Sequence, residues 1–263
     1  MNLRVVKALL IKYAFVWSRN TFRAMDVFFW PMMDLLVWGF LTIYLLKVSN
    51  SVPSMVNFLI GAVIMWNILY RAQQVIGVSF LDDVWNRNLL NLFAGPVRLR
   101  EYVAATYVMG FLQAIIVLLF LSIAAAIFYG FNLLDLGVTF AAFFANLLLM
   151  GWALGLLTTG IIVRYGPPAE ALAWAIPFLV QPLSAVFYPV SVLPTWLQAI
   201  AKLVPSSYVF EGMRQILGHQ SFDANGLVIA FGLNIIYMII AAMAFKFFFE
   251  EARARGLLAK YGS

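Results

Sequence analysis

The sequence predicts an all-α membrane protein with six transmembrane helices. An amphipathic interfacial helix precedes them, a short helix follows the second span, and a proline-broken re-entrant segment comes before the last. Three observations carry this. The 263 residues are 64% hydrophobic and 11% charged, against about 25% charged in soluble domains. Six stretches each offer about 18 or more mainly apolar residues, which at ~1.5 Å per residue cover a ~30 Å hydrocarbon core. Finally, Gln181 to Arg214 is apolar yet carries Pro182, Pro189, Pro194 and Pro205. Each interior proline removes a donor and clashes with the preceding turn, so this cannot be one helix. The polar-leaning stretches, the first 26 residues and Asp82 to Glu101, are too short for a second domain, so residues 1–263 form one membrane domain.

Residues 1–27 read as the interfacial helix. Val6, Leu9, Leu10, Tyr13, Val16 and Trp17 recur at helical spacing, with Arg4, Lys12, Arg19 and Arg23 on the other face. The basic residues run on to Arg23, and no compact apolar run with a small-residue cleavage site precedes the first span, unlike a secretory signal. The spans are expected at Phe28 to Leu46, Val56 to Leu81, Ala104 to Phe128, Leu136 to Val163, Ala169 to Val186 and Gly226 to Phe249. Pro31 suits the first turn of the opening span, where its missing donor is harmless. Six spans put both ends of the chain on one side. Of the 17 Lys and Arg, Lys47, Lys202 and Arg214 fall on the opposite side and Arg71 within a span; the rest lie with the termini. The positive-inside rule therefore places both termini in the cytoplasm.

Residues 82–103 are too apolar for a plain loop. Leu89, Leu90, Leu92 and Phe93 give a short helix an apolar face, Gly95-Pro96 stops it, and Arg98 and Arg100 flank the exit. Such a helix either docks in a partner's cleft or lies on lipid as an elbow. Residues 187–225 form the broken region on the far side. Irregular backbone at membrane depth is tolerated only where protein buries it or it lines a water-filled path, which points to a transporter or channel.

Charges inside the membrane are costly and mark function. Asp34 and Arg71 fall in the cytoplasmic halves of the first two spans and are candidates for an interhelical ion pair. Otherwise Asp34 sits near a helix start and Arg71 snorkels. Trp38 and Trp66, with Trp152 and Trp174, lie deep enough for their ring faces to line a path, although packing or lipid contact also accounts for such residues. Gly151 and Gly155 form a G-x-x-x-G close-packing motif. The absence of Cys and the single His219 leave no disulfide, thiol nucleophile or ordinary zinc site.

Two segments resemble those of ABC-2 type transporter permeases. Between spans two and three these carry an acidic residue, a leucine-rich turn, a proline and a basic pair. The broken segment matches the family's signature in Ser184, Tyr188-Pro189, Leu193-Pro194-Thr195-Trp196-Leu197, Pro205 with Tyr208, and Glu211 to Arg214; Ala185 stands where many members carry Gly. The resemblance implies two permease copies around a path, driven by two cytoplasmic P-loop ATPase subunits that hold ATP and Mg, with no cofactor on this chain. It implies that Asn88, Leu89, Leu90, Asn91, Leu92 and Phe93 couple to the ATPase. Ser184, Phe187, Tyr188, Pro189, Pro194, Trp196, Pro205, Glu211 and Arg214 would form the outer gate. No G-x-x-x-x-G-K-[ST] occurs in this chain, so the energy would come from such a partner. The loop and gate lean to the multidrug-type branch and to export of an amphipathic or lipophilic compound across the cell (inner) membrane, with polysaccharide or lipid-linked glycan as the alternative. A secondary transporter or channel would explain the broken helices without an ATPase. An intramembrane enzyme would use Asp82-Asp83 to hold a metal and diphosphate, but no second acidic motif follows at a matching loop. The formal charge of +6 is a matter of membrane topology and not of nucleic-acid binding.

Overall fold

The computed structural model describes residues 1–49, 53–218 and 221–257, and within these the regular structure is helical. His219 lies outside them. α1 (Leu3–Arg19) starts at Asn2, whose side chain accepts from the Arg4 N–H. Val6, Leu9 and Tyr13 are buried against the bundle, while Leu3, Ile11 and Phe15 stay exposed. The basic face is not wholly turned to water, because Lys12 and Arg23 reach inward to Asp83 and Asp82.

α2 (Thr21–Ser49) begins seven residues before the expected start. Asn20 caps it, its side chain accepting from the Arg23 N–H at 3.2 Å. Pro31 consequently lies in the interior of the helix and not in its first turn. α3 (Pro53–Trp85), α5 (Leu99–Tyr129), α6 (Thr139–Tyr165) and α10 (Ala224–Ala254) are the other long apolar helices, so among the described residues five helices are long and apolar enough to cross a membrane. Between α3 and α5, α4 (Leu89–Ala94) forms the expected short helix, ending at Gly95.

α3 is the axis of the bundle, with 94% of its most apolar window buried against 17% for α10. It is antiparallel to α2 and α5 and parallel to α6. Gly151 and Gly155 make that last contact. A Cβ on Gly151 would stand 2.6 Å from the Leu69 carbonyl oxygen, and one on Gly155 2.8 Å from that of Gln73. The motif therefore joins two helices of one chain, and backbone contact this close needs glycine.

The stretch expected as a fifth span, Ala169 to Val186, is not one helix. It comprises a 3-10 turn, α7 (Leu172–Val180) with Pro177 inside it, and turns from Gln181 onward. Nine residues cover only about 13 Å. Pro182 ends the helix because it brings no donor to continue the ladder, although Gln181 before it still holds α dihedrals (φ -54°, ψ -48°). α8 (Thr195–Ala201) and α9 (Pro205–Leu217) follow.

α6 and α10 nevertheless run parallel. Asn234 Nδ2 donates to the Asn146 carbonyl at 3.0 Å, Gly160 faces the Phe245 backbone, and Arg164 meets Glu251 at 2.7 Å, so the pairs advance together along both helices. From Asn146 to Arg164 is roughly 27 Å of helix. The connection from Gly166 to Asp223 must travel back over that distance, although none of its helices is long enough to do so alone. The basic end of the bundle, where α1, α4, the start of α5 and the ends of α6 and α10 meet, is thus opposite the end that carries α8 and α9.

Candidate transport path and coupling surface

In the broken segment each proline sits where a helix starts or the chain turns. Pro205 is the first residue of α9, Pro194 is the cap of α8, and Pro189 precedes a 3-10 turn. The freed polar groups are met by side chains, as an apolar surrounding requires. Ser184 Oγ donates to the Val180 carbonyl and lies 2.7 Å from Ser206 Oγ. Glu211 Oε1 accepts from the Val190 N–H at 2.6 Å, and Arg214 pairs with Glu211 at 2.8 Å while donating to the Ala185 carbonyl at 3.1 Å. The Tyr188 hydroxyl donates to the Pro182 carbonyl. Ala185, fully buried, has φ 52°, in the left-handed region; this is the backbone reason a glycine is at home there. Pro194 and Trp196 stand apart from this network, with Trp196 65% exposed on α8.

The segment closes one side of an aromatic cavity of about 220 Å³, lined by Trp38, Trp66, Tyr70, Phe178, Gln181 and Phe187 among others. Trp38 and Phe187 stack with centroids 3.8 Å apart and planes at 15°. Two of the four tryptophans singled out from depth, Trp38 and Trp66, therefore share one cavity, and Phe187 joins them from the signature segment; Trp152 instead stacks on Tyr107 with centroids 4.7 Å apart. Tyr70, Phe178 and Gln181 went unnoticed; the polar Gln181 beside Pro182 was the available signal.

Asp34 and Arg71 both line this cavity but do not form the expected pair. Arg71, almost wholly buried, points the other way: its guanidinium stands 3.8 Å from the Asp26 carboxylate and donates to the Asp26 carbonyl and to Gln74, each at 2.9 Å. Asp26 is two turns nearer the basic end, so the long arginine snorkels toward polar groups there. Asp34 is left on an exposed face of α2, with no basic partner within ion-pair distance among the described residues. Arg71 also borders a second cavity of about 270 Å³ that extends past Asp26 to Arg23, Asp82 and Trp174. The two spaces follow one another along α2 and α3 with Arg71 between them.

At the basic end, the buried Asp83 holds three elements together. Its carboxylate pairs with Lys12 of α1, accepts from Asn88 Nδ2 at 3.3 Å just before α4, and lies 3.5 Å from the Tyr102 hydroxyl of α5. Burial, with Asp83 beside it, pushes the Tyr13 phenol well above its usual range, so it stays protonated. Leu89 and Leu92 of α4 are buried and Asn91 is exposed; the side chains of Leu90 and Phe93 lie outside the described residues. Glu101 caps the start of α5 by accepting from the Arg98 N–H, and it also accepts from the Asn2 N–H of α1. The short helix is thus bolted to the ends of three others. Asp82 and Asp83, read as a metal site in the enzyme alternative, are instead occupied by Arg23 and Lys12, and no cluster of potential metal ligands occurs among the described residues.

Gln73, Asn146 and Asn234 are buried polar residues that sequence reasoning passed over. Gln73 donates to the Ala173 carbonyl at 3.1 Å and so anchors the start of α7 to α3. An amide within an apolar span was the visible signal.

Among known proteins, residues 8–218 match the family model described as ABC-2 type transporter. The chain is also similar to proteins named inner membrane transport permease YadH. It is 21% identical to that of Escherichia coli (strain K12), over 85% of this chain and 89% of the relative, and the same figures hold for the protein from Shigella flexneri. With a family match over most of its length and five membrane-length helices, this multi-pass chain belongs to the ABC-2 type transporter family and is a transmembrane transport subunit.

Proposed function

We propose that the chain is the permease subunit of an ATP-driven exporter in the inner membrane, with both termini cytoplasmic. Two copies pair around a path, and two P-loop ATPase subunits carrying ATP and Mg dock at Asn88 to Phe93. The cargo is an amphipathic or lipophilic compound of drug or lipid type. The observation that supports this most directly is the aromatic cavity between α2, α3 and the broken segment, where ring faces offer apolar contact and Asp34 and Gln181 supply a few polar groups. Closure of the ATPase pair would move α4 with the ends of α1, α3 and α5 as one body, because Asp83 and Glu101 tie them. The network of Ser184, Glu211 and Arg214 would then serve as the outer gate, opening where it is held by side chains and not by a continuous helix.

The test is purification of the tagged chain in mild detergent together with what accompanies it, followed by cross-linking from Asn91→Cys in this Cys-free background. A stoichiometric P-loop ATPase and nucleotide-sensitive cross-links are expected. A chain that arrives alone and cross-links to nothing in any nucleotide state refutes the reading in favour of a secondary transporter or channel. Polysaccharide or lipid-linked glycan export stays as the second reading because stacked aromatics also receive sugar rings. At about 220 Å³ the cavity holds little more than one such ring, which favours the smaller cargo.

A further inference from the structure

A second, unrelated feature lies on the outer surface at the basic end. An open groove of about 680 Å³ runs between the first turns of α5 and the last turns of α10, over Leu156 of α6. Its floor is apolar, made by Val103, Tyr107, Leu156, Ala242 and Phe245, and its mouth is basic, with Arg98, Arg100, Lys246 and Arg253. The one acid at the mouth, Glu250, stands 3.8 Å from Lys246 in an exposed pair. Elsewhere at this end the part-buried cations are matched: Lys12 by Asp83, Arg23 by Asp82 and Arg164 by Glu251. At the mouth of the groove, three positive charges exceed the acid present.

The dimensions select the occupant. Tyr107 lies nine residues into α5 from Arg98, and Ala242 eleven residues before Arg253, so the groove runs about 13–16 Å inward from these arginines, with the long Lys246 side chain reaching back to the mouth from part-way along it. That is half of a ~30 Å hydrocarbon core, the depth of one lipid leaflet. We infer that this groove is a binding site for an anionic phospholipid, with phosphate at Arg98, Arg100, Lys246 and Arg253 and an acyl chain along Val103, Tyr107, Ala242 and Phe245. Arginine forks match phosphate oxygens, and basic pockets between helices at a bilayer surface select acidic headgroups. The site does not depend on what the protein transports. It lies in whichever leaflet meets the basic end, the cytoplasmic one under the proposed orientation.

The experiment is native mass spectrometry of the purified protein, with any subunit that accompanies it, titrated with cardiolipin and separately with phosphatidylcholine. One cardiolipin should be retained at about tenfold lower concentration than phosphatidylcholine. The combined change Arg100→Gln, Lys246→Gln and Arg253→Gln should erase that preference. Ala242→Trp, at an exposed position, should fill the floor and reduce retention of both lipids without changing elution on size exclusion. Equal retention of the two lipids by the unaltered protein overturns the inference, as does a preference that survives both variants. A triple variant that keeps its lipid preference but sheds an accompanying ATPase would make the mouth a protein-docking surface, and the inference would fall.

Discussion

Replacing Gly151 with alanine adds one methyl group where two backbones meet. Its Cβ would lie 2.6 Å from the Leu69 carbonyl oxygen and 2.7 Å from the Ala72 Cβ, where ordinary contact begins near 3.4 Å. The nearest obstacle is backbone, which cannot rotate aside, so α3 and α6 must separate by about 0.8 Å or the methyl must be strained. Overpacking of this kind costs about 1–3 kcal/mol, partly offset by the helix preference of alanine over glycine, about 1 kcal/mol. The net expectation is a loss of about 0–2 kcal/mol, or roughly 3 °C in the unfolding midpoint at the middle of that range, at ~2–4 °C per kcal/mol for a chain of this size. The assay is thermal unfolding in detergent followed by loss of monodisperse protein. Gly232 is the matched control, since nothing lies within 4 Å of its added Cβ; Gly232→Ala should leave the midpoint unchanged or raise it. If Gly151→Ala unfolds at or above the midpoint of Gly232→Ala, the close approach of α3 to α6 is not a determinant of this fold.

Three further outcomes follow from named contacts. Lys12→Met leaves the buried Asp83 carboxylate without its cation and should cost about 3 kcal/mol, exposing α1 to limited proteolysis. Arg23→Met, beside the better solvated Asp82, should cost only about 1 kcal/mol, and equal losses would refute the difference in burial. Ala185→Gly removes a buried methyl worth about 0.8 kcal/mol but relieves a left-handed residue that costs about 1–2 kcal/mol; its midpoint should match or exceed that of the unaltered protein. Asp34→Leu should leave stability unchanged or improved, since it removes a carboxylate from membrane depth at about 3 kcal/mol on insertion scales, while abolishing transport measured in vesicles. Unimpaired transport would take Asp34 off the path.

Membrane class, the short α4 and the breaks at the prolines were legible because each follows from a local rule: hydropathy over a window, an apolar cluster before Gly95-Pro96, a missing donor. The fifth span shows where such a rule fails. Hydropathy over Ala169 to Val186 satisfies the length criterion, yet the helix stops at nine residues, before Pro182. Conversely, Thr21 to Val27 looked interfacial by charge but belongs to α2, because Arg23 is neutralised by Asp82 across the bundle. Ion pairing explains the other misses. Depth alone made Asp34 the partner of Arg71, whereas the direction of a long side chain gave it Asp26. No single-sequence pattern reveals that Lys12 lies against Asp83, because the two residues meet only after α1 has folded back on the bundle.

The parallel course of α6 and α10 also bears on how the chain is made. Helices that emerge as consecutive hairpins pair antiparallel with a neighbour already present, but α10 takes its place beside α6 only after the whole broken segment, including Lys202 and Arg214, has been laid down between them. The contacts of Asn234 with Asn146 and of Glu251 with Arg164 are therefore late contacts in biogenesis, closed at long sequence separation and correspondingly slow. Until α10 docks, Arg164 lacks Glu251 and α6 leaves uncovered the surface at Gly160 on which the Phe245 backbone comes to rest, so the last helix closes both the polar and the apolar contacts of α6 in one step.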